Sequence, residues 1–201
     1  MFKCPQWLFA TLLVFTFFSF VKAQESRQEW INNYEFSLAD FKAATTKVDQ
    51  EVSNLYLQTG ITIELGFQMT NIEFMFTKNF NDKVICILDK NTAVLKAQNQ
   101  KQLTRLLHLA SYDFDLSELY ARKIRKELFE NKKAFSNANF FQPYYSKMIA
   151  ERNTISAQLY DASNFGAKEE LLQKAHQKVR EELKEYSDYC KECKPKKRKK
   201  K

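Results

Sequence analysis

Histidine, glycine, proline and tryptophan are all scarce in this chain. Its 201 residues include two histidines, three glycines, three prolines and two tryptophans. With only His108 and His176 available, no His-Glu-x-x-His sequence exists anywhere in the chain. Three glycines provide no phosphate-cradling loop, and there is no Ser-x-Gly nucleophile elbow. Internal repeats are absent, and so few Gly and Pro punctuate the chain only weakly. After residue 20 no apolar run approaches the roughly 20 residues that a bilayer-spanning helix requires.

Cysteine is nearly as sparse. After residue 23 there are Cys86, Cys190 and Cys193. A zinc knuckle at Cys190 and Cys193 would need two more ligands nearby, and none is there. In an oxidising compartment the same two cysteines are a possible disulfide closing a small loop. Cys86 lies in an apolar run and reads as a buried free thiol.

What the chain does have begins at its start. Lys3 precedes an apolar run from Trp7 to Phe20, and Val-Lys-Ala follows at 21–23. This is the pattern of a secretory signal peptide over residues 1–23, cleaved after Ala23, and it predicts export to a periplasmic or extracellular space. An uncleaved anchor is the alternative. Residues 24–189 then form one domain, with a core of ordinary size.

Charge divides the chain again. Of the 32 Lys and Arg, two precede residue 24 and eight follow residue 189, so the body carries 22 basic against 23 acidic residues, a net of −1. The formal charge of +8 comes from the block "CKECKPKKRKKK", residues 190–201, and from Lys3 and Lys22. That block is expected to be a disordered basic tail, able to contact anionic surfaces but offering no specific nucleic-acid recognition.

Within the body, "TGITIELGFQM" and "NIEFMFTKNF" alternate apolar and polar residues and are rich in β-branched and aromatic side chains, so both predict strands. "KVICILD" predicts a third, more buried strand, with a turn at Asn81–Asp82 before it. The second half is helical. Leu103, Leu106, Leu107, Ala110 and Phe114 recur at three- and four-residue intervals, and Ala121, Ile124 and Leu128 continue the stripe. A second helix is predicted from about Pro143 to Leu159, and a third along Leu171, Leu172, Ala175, Val179, Leu183 and Tyr186, after a loop at Gly166. The fold class is therefore α+β, a small sheet of about three strands followed by a helical half.

Three short motifs carry a resemblance. "LADF" spans Leu38 to Phe41, "FDLSELYARKIRKEL" spans Phe114 to Leu128, and "YDASNFG" spans Tyr160 to Gly166. Together, and over residues 36–186, they resemble a bacterial family of predicted secreted zinc-dependent proteases, a numbered domain of unknown function. Its motifs are an apolar-Trp-Ser-Asp-Phe start, a helix reading His-Glu-Gln-x-His-Phe-Asp-Ile-x-Glu-x-Tyr-Ala-Arg-x-Leu-Arg, and a later Tyr-Asp before Thr-x-His-Gly. The matching residues are Asp40, Phe41, Phe114, Asp115, Glu118, Tyr120, Ala121, Arg122, Arg125, Tyr160 and Asp161.

The departures fall on the chemistry. In that register the two helix histidines correspond to Leu109 and Asp113, and the glutamate to Ala110. His108 is one residue out of register, and Phe165 stands where the later histidine is expected. A zincin helix needs imidazoles at i and i+4 on one face and a glutamate to take a proton from metal-bound water. Leucine binds no metal and alanine accepts no proton. The expectation is a zincin-like helix without metal ligands, no catalytic residues and no cofactor.

The retained residues read as structural. Glu118 and Arg122 are four apart in the favourable orientation, and Asp115 and Arg122 suit buried bonds to neighbouring segments. The aromatic cluster "NFFQPYYSKM" reads as core rather than as a binding patch. The resemblance implies an exported, non-catalytic relative of a zinc protease, with a binding or structural role toward an envelope partner. One alternative is a hydrolase with a rearranged carboxylate site drawn from Asp113, Asp115, Glu118 and Asp161. Another is an envelope-associated protein whose basic tail is the active part.

Overall fold

A computed structural model describes residues 26–66, 68–133, 136–137 and 139–195. The signal peptide read over 1–23 and the basic residues from 196 onward lie outside the described residues. Among the described residues, no helix is long and apolar enough to cross a membrane.

The fold is α+β, with strands first and helices after. The strands are β1 (Arg27–Glu29), β2 (Lys47–Val48), β3 (Tyr56–Gln58), β4 (Ile61–Leu65), β5 (Val84–Asp89) and β6 (Val94–Ala97). Two three-stranded sheets result. One has the order β1-β5-β4, antiparallel throughout; the other has the order β2-β6-β3, with β2 parallel and β3 antiparallel to β6. The "KVICILD" run is the central strand of the first sheet, which explains its continuous apolarity: Val84, Cys86, Ile87 and Leu88 are all buried.

The second predicted strand is not one. Residues Asn71–Phe76 form a short helix, α1, followed by loop. Thr70 and Glu73 make a capping box, with Glu73 N donating to Thr70 Oγ1 at 3.2 Å and Thr70 N donating to Glu73 Oε2 at 2.7 Å. That reciprocal cap nucleates a helix despite the β-rich composition. The expected turn at Asn81–Asp82 belongs to a single 3₁₀ turn over Asn81–Lys83.

Three long helices follow: α2 (Gln100–Asn131), α3 (Gln142–Ala162) and α4 (Glu169–Glu185). The two predicted apolar stripes at 103–114 and 121–128 belong to one continuous helix, started by Asn99, whose side chain accepts from Gln102 N. α2 is the axis of the molecule. It packs on β5, β4 and β6 on one side and on α3 and α4 on the other. Its middle, from Tyr112 to Arg122, is buried on all sides, polar and charged side chains included.

The tail expected to be disordered from Cys190 starts as part of the domain. A disulfide joins Cys190 to Cys193. The Asn81 side-chain amide donates to the carbonyls of Cys190 and Cys193, each at 3.0 Å, and Asn79 donates to Cys193 O at 3.0 Å. Backbone carbonyls that would otherwise face water are held by two buried or half-buried asparagines, so the domain runs on to Cys193.

Candidate functional site

The middle of α2 carries three buried carboxylates within six residues. At 3.6 residues per turn, Asp115 and Glu118 point about 60° apart, and Asp113 projects from roughly the opposite side. Each therefore meets a different neighbour.

Asp113 faces α3. Its Oδ1 accepts from Ser156 Oγ at 2.6 Å and its Oδ2 from Tyr160 OH at 2.7 Å, while Arg152 Nη2 lies 3.5 Å from Oδ2. Arg152, Ser156 and Tyr160 sit at four-residue intervals, so one face of α3 presents all three donors to a single carboxylate. Ser117 Oγ closes the group, donating to Asp113 O at 2.6 Å and accepting from Arg152 Nε at 3.1 Å. Burial and the adjacent Asp113 charge push the Tyr160 hydroxyl well above its ordinary pKa, which keeps it a donor.

One turn earlier, Leu109 and Ala110 are fully buried in the apolar core. Gly166 covers Leu109 from the loop after α3. A β-carbon there would lie 3.2 Å from Arg105 O and 3.5 Å from Leu109 Cγ, and its φ of +76° also favours glycine. The "YDASNFG" segment thus meets α2 where Leu109 and Asp113 lie, one motif closing over the other.

Asp115 faces α4 and the chain before β2. Oδ1 accepts from Trp30 Nε1 at 2.9 Å; Oδ2 accepts from His176 Nε2 at 2.7 Å and from Arg180 Nε at 3.1 Å. Burial would raise the carboxyl pKa, but bonds from His176, Trp30 and Arg180 outweigh it and hold the value below its ordinary level. His176 and Arg180 again stand four residues apart on one helix face.

Glu118 faces β5 and the turn after α4. Oε1 accepts from Arg122 Nε at 2.9 Å and from Arg125 Nη1 at 2.8 Å. Arg122 donates onward to Leu183 O at 2.8 Å and lies 5.3 Å from the Trp30 ring. Arg125 is only 1% exposed, and it donates to Val84 O through Nε and Nη2 and to Tyr189 O through Nη1. The two arginines tie α2 to a strand, to α4 and to the disulfide-bearing turn.

The remaining motif residues are structural or peripheral. Asp40 accepts from Lys90 Nζ at 2.8 Å and Tyr34 OH at 2.7 Å, and Phe41 packs on Phe36, which meets Phe114 edge-on at 5.7 Å. Tyr120 is buried with Lys123 Nζ 4.6 Å from its ring. Asp161 is exposed at the end of α3, and the Phe165 ring meets that of Tyr160 edge-on at 5.8 Å. The four carboxylates of the rearranged-hydrolase reading therefore do not converge: three face separate partners and one faces solvent.

A tetrahedral zinc site takes four nitrogen, sulfur or oxygen ligands, or three and a water. Here Leu109 and Ala110 offer none, and both oxygens of Asp113 already accept hydrogen bonds. Among the described residues no group of three His, Cys, Asp or Glu side chains could hold a metal ion. The donor set does not fit zinc.

An open cleft lies beside this network. It has a volume of about 720 Å³ and runs between Asn33–Phe36, residues 104–111 of α2 and residues 172–180 of α4; Tyr34, Glu35, His108, Ser111, His176 and Arg180 line it. Both histidines of the chain thus reach one cleft. Sequence reading gave no role to Arg152, Ser156, His176 or Arg180. The available signal was a polar residue repeated at four-residue spacing along a helix face. The chain matches no protein-family model, and no curated protein or solved structure is significantly similar to it.

Proposed function

We propose that the protein is an exported, non-catalytic relative of the secreted zinc-protease family its motifs resemble, with a binding role in the cell envelope. The observation that carries this reading is the state of residue 113. Where the family's second metal-binding histidine would stand, a buried aspartate is saturated by Ser156, Tyr160 and Arg152. Beside it Leu109 and Ala110 fill the space with hydrocarbon. No water could be activated there without first breaking that network.

Binding instead falls to the cleft between the N-terminal loop, α2 and α4. Asp115 uses Arg180 Nε and His176 Nε2, so the rest of each side chain lines the cleft alongside His108. Guanidinium and imidazole donors against the aromatic wall of Tyr34 suit a carboxylate or phosphate group. The two histidines make the test direct. In the chain beginning at Gln24, inorganic phosphate is expected to shift the ring resonances of His108 and His176 saturably, and zinc is expected to be absent after dialysis. Close to one zinc per chain, lost on Asp113→Ala and accompanied by casein hydrolysis, would overturn the reading.

A further inference from the structure

Among the described residues, α1 carries the two most exposed large apolar side chains, Ile72 and Phe76. α1 is apolar nearly all round. Phe74 points inward, 6.0 Å from the Phe80 ring and 5.8 Å from the Phe140 ring, with Lys132 Nζ 4.4 Å above it. Ile72, Met75 and Phe76, at the i, i+3, i+4 spacing of a second helix face, point outward and are 70%, 40% and 80% exposed. The polar residues of the helix are Asn71 and Glu73, and the Glu73 carboxylate is occupied in its capping box. A capped helix presenting three large apolar side chains to water is a surface that another phase or molecule covers.

What covers it follows from where the chain goes next. Asn79 stands three residues after Phe76, at most about 11 Å of chain. Its side chain holds the carbonyl of Cys193 at 3.0 Å, and Asn81 holds the same carbonyl at 3.0 Å. Cys193 therefore lies near the end of α1. The eight residues that follow, Lys194 to Lys201, include seven Lys and Arg. Eight residues span at most about 29 Å from the carbonyl that Asn79 and Asn81 hold. Lys78, two residues past the end of α1, adds to the same sign of charge, while the nearby Asp82 is paired with Lys83 at 3.0 Å.

We infer that this face is a docking surface for a bilayer containing anionic phospholipid, with Ile72, Met75 and Phe76 entering the headgroup–acyl boundary and the positive charge of residues 194–201 attracting anionic headgroups. One apolar patch of this size, or one polybasic run, gives only reversible attachment; the two together give a stable one. A soluble polyanion would satisfy the lysines but leave Phe76 in water. A lipid surface satisfies both. The Cys190–Cys193 loop, clamped by Asn79 and Asn81, is what holds the two determinants side by side.

The test uses the chain beginning at Gln24, which retains every described residue. It is sedimented with vesicles of phosphatidylcholine alone or of equal parts phosphatidylcholine and phosphatidylglycerol, at ionic strengths from about 0.05 to 0.5 M. Binding to the mixed vesicles only, weakening with salt, is expected. Deletion of Lys194–Lys201 is expected to weaken it on the order of 100-fold at low salt. Ile72→Ser with Phe76→Ser is expected to weaken it roughly tenfold, with the circular dichroism spectrum unchanged because both side chains are exposed. A Phe76→Trp variant is expected to shift its emission to the blue on the mixed vesicles. Unchanged affinity of the serine variant, unshifted emission of the bound Phe76→Trp variant, or binding to heparin without binding to vesicles would each overturn the proposal.

Discussion

Replacing Glu118 by Gln tests the polar centre of the fold most severely. Glu118 is 3% exposed and Arg125 1%, so neither can turn to water when its partner is lost. The amide keeps the shape of the side chain but leaves two guanidinium groups, Arg122 and Arg125, without a counter-charge. Breaking one member of a buried pair costs about 3–5 kcal/mol. Against a total stability of about 5–15 kcal/mol for a domain, that is a large fraction. At about 2–4 °C per kcal/mol for a chain of this size, the melting temperature should fall by about 6–20 °C. Urea unfolding followed by tryptophan emission is the suitable assay, because Trp30 is the sole tryptophan after residue 23 and lies 5.3 Å from Arg122. A double change, Glu118→Leu with Arg125→Met, should recover only part of the loss. Apolar pairs often replace buried ion pairs at no cost, but Arg122 would still lack its counter-charge, and Arg125 also serves the carbonyls of Val84 and Tyr189, which would be left without it. A loss below about 1 kcal/mol for Glu118→Gln would refute the idea that this network holds the sheet, α4 and the last turn together.

Two further outcomes follow from the same geometry. Asp115 and Asp40 both titrate below their ordinary value of 3.8: burial opposes this, but His176, Trp30 and Arg180 lower the first, and Lys90, Ser37 and Tyr34 the second. A depressed carboxyl contributes stability that is complete above the unfolded value and lost as pH falls through the folded one. The urea midpoint should therefore drop steeply below about pH 4, and less steeply in Asp115→Asn; parallel curves would contradict this. Cys86, buried and with its thiol pushed well above the ordinary value of 9.0 by desolvation and by Glu118, should resist iodoacetamide in the native protein and react once urea unfolds it. Labelling at equal rates in both states would show that β5 opens freely.

Some of this was legible in the residues and some was not, for definable reasons. The apolar run at 84–89 and the stripes of α2 and α4 were legible because burial on both faces, or on one, leaves a periodic trace. The helix at Asn71–Phe76 was misread because its aromatic and β-branched composition outweighed a quieter signal, the Thr70-x-x-Glu73 cap. Strands of two to four residues such as β1, β2, β3 and β6 carry too few positions for a period to show. The polar partners were hidden for a different reason. Ser156, Arg152, His176 and Arg180 look like solvated helix residues until the helix they face is known to carry buried carboxylates.

Arg152 then acquires a particular meaning. On the reading proposed above, residue 113 occupies the place of a metal-bound histidine, and a site built around a cation has been left with a buried anion. A carboxylate buried there without compensation would cost several kcal/mol. Two neutral hydroxyls, Ser156 and Tyr160, satisfy its lone pairs but supply no charge. Arg152 supplies it, 3.5 Å from Oδ2 and fixed by Ser117 at 3.1 Å. The guanidinium takes over the electrostatic task of a metal ion without its reactivity, since it has no open coordination position and cannot lower the pKa of a bound water. On that reading, the helix, the covering loop and the buried tyrosine are kept while the chemistry of the site is lost.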